Sequence, residues 1–222
     1  FIDFGCGGGA LLNELKKLNP NSECIGYDTK PEMVTFAQNN NDEHIITNKW
    51  DEIQNIVNKH HKKTTIILSS VIHEVYSYCT EDEINLFWTR VFNSGFDNIV
   101  VRDMMLSQTI THAHNYPIKK IKKNFDPIKI KQWEKKWGTL DEHKSLMHFL
   151  LTYQYDDNWA RECDENYFPL SIEQLVNKIP VDHSIIFKKH FTLPYIKKSV
   201  KNDFDIELKT KTHGKIIITK NI

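Results

Sequence analysis

The chain is poor in the features that would assign it quickly. Its four cysteines, Cys6, Cys24, Cys79 and Cys163, show no paired metal-ligand spacing, which argues against a zinc site and against a disulfide scaffold. That usage fits a reduced, cytoplasmic setting. No apolar run approaches the roughly 20 residues of a membrane span, and no signal peptide is visible. An excess of one charge is missing as well. The 29 Lys and Arg residues match 29 Asp and Glu, so no overall field draws the chain to nucleic acid or to an anionic membrane. Glycine is scarce, eight in all, yet four of the eight fall between positions 5 and 9. Apolar residues make up 40% of the 222 positions, enough for a real core in one α/β domain carrying an insertion. The sequence opens inside an apolar segment without a Met, so a preceding N-terminal part is expected to be missing.

The glycine cluster organises the rest of the chain. Phe1-Ile2-Asp3-Phe4 reads as a buried strand, and Gly5-Cys6-Gly7-Gly8-Gly9 as a loop with almost no side chains. Ala10 to Leu18 places Leu11, Leu12, Leu15 and Leu18 on one helical face, and Asn19-Pro20-Asn21 stops it. Glu23 to Tyr27 reads as a second strand, ending at Asp28. A strand, a glycine turn, a helix and a second strand ending in an acid make a nucleotide-binding unit. The glycines let the backbone approach a ligand, and a carboxylate after strand two can accept both hydroxyls of a ribose. Gly5-x-Gly7-x-x-Ala10 with Asp28 also matches a dinucleotide fingerprint, so an NAD-dependent oxidoreductase stands as one reading.

Asp3-Phe4-Gly5-Cys6-Gly7-Gly8-Gly9 resembles the first motif of class I S-adenosylmethionine-dependent methyltransferases. That resemblance implies a Rossmann-like α/β fold with a seven-stranded, mostly parallel sheet, helices on both faces and an antiparallel last strand. It implies S-adenosylmethionine (SAM) as cofactor, with Asp3, Gly5, Cys6 and Gly7 around its methionine part. Asp28 and Thr29 would then meet the ribose. A third strand over His44 to Thr47 leads to the turn Asn48-Lys49-Trp50-Asp51. In the resembled family this turn meets the adenine, which would give Trp50 a base to pack on and Asp51 an amine to bond. A rim residue covering the third helix is the plainer role for Trp50.

Thr64 to Tyr76 is the second informative stretch. It opens as a continuous apolar run, the mark of a central parallel strand covered on both faces, then turns to Ser69-Ser70 and His73-Glu74. Ligands of open α/β sheets lie beyond the carboxyl ends of the strands, which directs Ser69 and Ser70 to the cofactor and His73 and Glu74 to the reaction. His73 titrates near working pH and suits a general base, with Glu74 to orient it; a lining role for His73 is the alternative. Thr80-Glu81-Asp82-Glu83 has the pattern of a capping box starting a helix to about Asn93. Asn98 to Arg102 is strand five, and Arg102 and Asp103 at its end are substrate-lining candidates or a bracing ion pair.

Residues 104–169 do not fit a minimal domain of this family and are expected to form a helical insertion between core segments 1–103 and 170–222. Lys119 to Lys136 carries eight lysines and two acids; Asp141 to Glu173 carries eight acids, one lysine and one arginine. Charge-complementary helices explain both halves, and a nucleic-acid surface built on Lys119–Lys136 is the alternative. Leu146, Met147, Phe149, Leu150 and Tyr153 form one buried stripe, and Tyr155, Trp159 and Arg161 are further substrate-lining candidates. Adjacent His60 and His61 point in different directions, and His112 and His114 are isolated, so no metal site is expected. Pro194 to Val200 reads as a short helical connection between strand six (His183 to Phe191) and the last strand (Gly214 to Lys220). The apolar GKIIITK run fits a final antiparallel strand inserted between strands five and six, an arrangement dehydrogenases lack. Methyl transfer from SAM to an N or O nucleophile is the expected activity, with RNA, protein and small molecules all open as acceptor. A non-catalytic SAM-fold binding module is the second reading.

Overall fold

The computed structural model describes residues 1–40, 43–60, 64–109 and 116–221. His61, His112 and His114 lie outside the described residues. Chain order is β1 (Ile2–Phe4), α1 (Ala10–Leu18), β2 (Ile25–Tyr27), α2 (Pro31–Asn40), β3 (Ile45–Thr47), α3 (Trp50–Lys59), β4 (Thr65–Ser69), α4 (Ile72–Tyr78), α5 (Glu81–Asn93) and β5 (Asn98–Met104). Then come α6 (Ile118–Asn124), α7 (Pro127–Trp137), α8 (His143–Thr152), α9 (Trp159–Asp164), α10 (Ile172–Asn177), β6 (His183–Phe191), α11 (Pro194–Phe204) and β7 (His213–Lys220). The seven strands form one sheet in the order β3-β2-β1-β4-β5-β7-β6. Strands β1 to β5 pair in parallel, with Asp3 level with Gly26 on one side and Ile67 on the other. The last strand enters antiparallel between β5 and β6, as the apolar GKIIITK run leads one to expect.

Two compact units emerge from the packing. The first comprises Phe1–Asp103, Lys178–Lys189 and Lys215–Ile222. Period-two alternation splits its strand residues between two faces. Phe4 and Tyr27 meet Trp50 of α3 at ring separations of 6.0 and 5.2 Å, and Phe4 meets Phe87 of α5 at 5.2 Å. On the other face Gly26 sits so close to α1 that a Cβ there would lie 3.0 Å from Leu12 Cδ1 and 2.7 Å from Cys6 Sγ. Cys6, Leu12, Cys24, Val34, Ala37 and Ile46 close that side. The Thr80–Glu83 capping box forms as its sequence suggests.

The second unit comprises Met104–Asn177 and His190–Gly214. Its core centres on Trp133, fully buried, whose ring lies 4.5 Å from His148, 5.7 Å from Phe149 and 6.0 Å from Trp159. Leu146, Met147, Phe149, Leu150 and Tyr153 are all buried in it. Helix α11 belongs to this core through Ile196, Val200 and Phe204. The charged halves of residues 119–173 do meet: Lys129 pairs with Asp156 and Lys136 with Asp164. Lys122 is satisfied by Glu134 of its own half, at 2.8 Å, and Lys120 by Asp205, at 2.6 Å. No helix among the described residues is long and apolar enough to cross a membrane.

Candidate active site

The strand order reverses at β1, from which the chain runs to β2 and β3 on one side and, through β4, to β5 on the other. The carboxyl ends around that reversal carry the glycine loop, Asp28, the β4–α4 turn and the end of β5. Such a switch point is where open α/β sheets hold ligands.

The loop is fixed by β2. The N–H groups of Gly5 and Cys6 both donate to the Tyr27 carbonyl, at 2.8 and 3.1 Å, and Gly9 N–H closes a turn on Cys6 O at 2.9 Å. Gly5, Gly7 and Gly9 all have positive φ. Gly5 is doubly constrained: its φ is +76°, and a Cβ would come 2.8 Å from Val71 Cγ2. The glycine loop therefore lies directly against the residue that precedes α4. Gly7 N–H donates to Asp28 Oδ2 at 3.1 Å, and Lys30 N–H donates to Asp28 Oδ1 at 3.0 Å. Asp28 is thus tied to the loop by one oxygen and to its own turn by the other, with Thr29 exposed between them.

Asp3 is buried in the middle of the short strand β1. Burial first, and the neighbouring Asp28 carboxylate second, push its carboxyl up to about 7. Cys6 is buried too, and its thiol is raised to about 12, mainly by burial. It is a packing group with no thiolate chemistry near neutral pH. Trp50 opens α3 instead of lying in the turn before it. Its ring packs on Phe4, Tyr27 and Phe96, with the Arg90 guanidinium 5.2 Å over its face, while Asp51 is exposed in the first helical turn.

The β4–α4 turn holds the remaining candidates. Ser69 ends β4, and Ser70 has a left-handed backbone, φ +57°, uncommon for a residue with a side chain. Two consecutive residues of β5 hold this turn. The Arg102 carbonyl accepts Ser70 N–H at 2.8 Å, and an Arg102 guanidinium N–H donates to Ser70 Oγ. Asp103 Oδ2 accepts Ile72 N–H at 2.7 Å and His73 N–H at 3.4 Å, while Oδ1 lies 2.9 Å from His73 Nδ1. His73 and Asp103 are 6% and 1% exposed. Asp103 is the residue on His73 Nδ1, and Glu74 is half-buried in the first turn of α4. Sequence reading places Arg102 and Asp103 near the site but misses the His73–Asp103 link, which joins positions 30 apart. The side chains of Met33 and Phe36, which flank Gly7 and Gly8 from α2, also escape it.

Tyr155, Trp159 and Arg161 lie in the second unit. Trp159 is buried, donates to Gln132 Oε1 at 3.1 Å and carries Lys129 above its ring. Arg161 donates to the buried Glu165 carboxylate at 3.0 Å, and Tyr155 is largely exposed. No group of three or more metal-binding side chains occurs among the described residues.

A family model described as a methyltransferase domain matches residues 1–140. No curated protein sequence matches the chain. Among solved structures, a SAM-dependent methyltransferase from Anabaena variabilis superposes with a TM-score of 0.55, covering 99% of this chain and 76% of that one at 13% identity. The plantazolicin methyltransferase BamL, solved with a triazolic desmethylPZN analog and S-adenosylhomocysteine (SAH), gives 0.53 over 100% and 76% at 13% identity. The plantazolicin methyltransferase BpumL, solved with SAH, gives 0.50 over 100% and 75% at 12% identity. These likenesses establish the fold, and the match over residues 1–140 covers well over half of the sequence. The chain belongs to the methyltransferase domain family, as a class I SAM-dependent methyltransferase.

Proposed function

We propose that the chain binds SAM at the glycine loop and transfers its methyl group to an N or O nucleophile of RNA, a protein or a small molecule. The observation that carries this reading is the pair of carboxyls, Asp3 and Asp28, set beneath one glycine loop. Two donors already reach Asp28, one on each oxygen. A carboxylate offers about four acceptor positions, so one per oxygen remains for the two ribose hydroxyls. Asp3, raised to about 7 beside Asp28, is an acid that a cationic ligand would help to ionise. The same two acids disfavour the pyrophosphate of a dinucleotide, which weakens the NAD reading.

SAM supplies a methyl group on a sulfonium that leaves as a neutral thioether. The protein is left with positioning, and at most one proton to remove from the acceptor. Asp3, Gly5, Cys6 and Gly7 hold the methionine part through a mostly backbone surface. Asp28, with Thr29 beside it, takes the ribose, Trp50 and Asp51 lie toward the base, and Ser69 and Ser70 face the cofactor. His73 is the base for an acceptor that must lose a proton.

Titration calorimetry with SAM, SAH and NAD tests the reading. Binding of SAM and SAH without NAD is the expected result, and binding of NAD alone would overturn it. Silence to all three would favour a non-catalytic module. Asp28→Ala is expected to weaken SAH binding by about 1–3 kcal/mol, as for a lost hydrogen bond to a charged group. An unchanged affinity would remove Asp28 from the ribose site.

A further inference from the structure

We propose that Asp103 is a positioning residue that holds His73 in the one neutral tautomer able to accept a proton at Nε2. The inference rests on the methyl-transfer reading for its chemistry but on the β4–α4 turn for its geometry. An ionised carboxylate only accepts hydrogen bonds. With Ile72 and His73 N–H groups on Oδ2 and His73 Nδ1 2.9 Å from Oδ1, the proton at that contact belongs to Nδ1. The neutral ring then carries its lone pair on Nε2, and whatever Nε2 meets, it meets as an acceptor.

Three features make this a built device. The carboxylate is shared between the start of a helix and the ring: Oδ2 anchors the Ile72 and His73 N–H groups, which fixes Oδ1 to orient the imidazole. Next to it, Arg102 holds Ser70 in its left-handed conformation through two hydrogen bonds, one from each direction. A strained residue kept in place by its surroundings at a strand end is the usual mark of a site that must be preorganised. Finally, Val71, between these two anchors, abuts Gly5 of the glycine loop, so ring placement and loop placement are set together.

The device suits an acceptor atom that gives up a proton as it takes the methyl, a hydroxyl above all. Its O–H bond breaks toward Nε2, its oxygen forms the new bond to the methyl carbon, and the C–S electron pair stays on the departing sulfur. The imidazolium so formed is offset by Asp103, 2.9 Å from its other nitrogen.

Nitrogen-15 histidine spectra read the tautomer directly and need no acceptor. Spectra of the protein with and without SAH at pH 8 are expected to show His73 protonated at Nδ1 and bare at Nε2, its signals assigned by their loss in His73→Gln. In Asp103→Asn the two backbone donors claim the single amide oxygen, so the amide NH2 faces the ring. His73 should then switch to the Nε2–H form. A wild-type ring protonated at Nε2 overturns the proposal, as does an Asp103→Asn ring that keeps the wild-type form. If Asp103→Asn does not fold, the wild-type tautomer decides alone. SAH calorimetry separates the two readings: absence of binding overturns the methyl-transfer reading and leaves the tautomer result to stand or fall by itself.

Discussion

The two compact units set some of their buried polar groups in different surroundings. In the second unit several such groups are matched by partners of the same unit. The Tyr153 hydroxyl donates to Asp203 at 2.6 Å, Tyr167 donates to Glu162, the Trp137 indole donates to the Cys163 carbonyl at 2.8 Å, and buried Glu165 takes Arg161. In the first unit a buried acid, Asp3, has another acid as its electrostatic neighbour, and a non-glycine residue is held left-handed at the end of β4. Under the proposed SAM site, the contrast separates a region built for packing from one that gives up stability to hold a ligand. Trp133→Ala and Asp3→Asn should therefore differ in the sign of their effect on stability, and not merely in its size.

The largest loss is expected where packing is densest. Trp133→Ala removes a fully buried indole that meets His148, Phe149, Trp137 and Trp159, and takes one of two hydrogen-bond partners from Ser145. Large-to-small changes of this kind cost about 3–5 kcal/mol. Urea unfolding measures it, and a loss below about 1 kcal/mol would mean the second core is far looser than its contacts suggest.

Asp3→Asn should act in the other direction. Below pH 3.8 the carboxyl is protonated whether the chain is folded or not. Between 3.8 and about 7 the unfolded chain has released the proton and the folded one has not, so wild-type stability falls as pH rises through this window. A displacement from 3.8 to about 7 corresponds to about 4 kcal/mol, fully lost above the upper value. The asparagine variant escapes that fall. Its melting temperature should match wild type at pH 4 and exceed it at pH 8, while its SAH affinity drops about tenfold or more through the lost charge. Equal pH profiles for the two proteins would show that Asp3 is ionised at no cost and that the two units do not differ in this respect.

How far the sequence carries depends on the range of each interaction. The glycine loop, the Thr80 capping box and the apolar runs of β4 and β7 are local signals, and the sheet order follows from them once the last strand is read as antiparallel. Asp28 is legible because the loop it serves is one helix away. The His73–Asp103 link is not, because the two residues meet only when β4 and β5 pair, and Glu74 is the nearer acid in sequence. Ser70 gives no sign of its left-handed backbone, since no glycine or asparagine marks it. Helix α11 reads as a short connection, yet it runs to Phe204 and buries three side chains in the second core, contacts that only long-range packing decides.

The smallest effect tests which force organises the second unit. Lys129 pairs with Asp156 and also lies 5.3 Å from the centre of the Trp159 ring, so the alternation of basic and acidic stretches has a structural counterpart in this unit. Asp156 is 75% exposed at its side chain, where water screens the pair and ordering two side chains offsets much of the attraction. Asp156→Ala should therefore change stability by less than about 0.5 kcal/mol. Lys129→Ala, which also loses a cation over an indole, should cost about 1 kcal/mol. A double-mutant cycle in urea isolates the charge pair, and its coupling is expected below about 1 kcal/mol. A coupling above about 2 kcal/mol would show that the paired charges support the second unit well beyond an exposed ion pair.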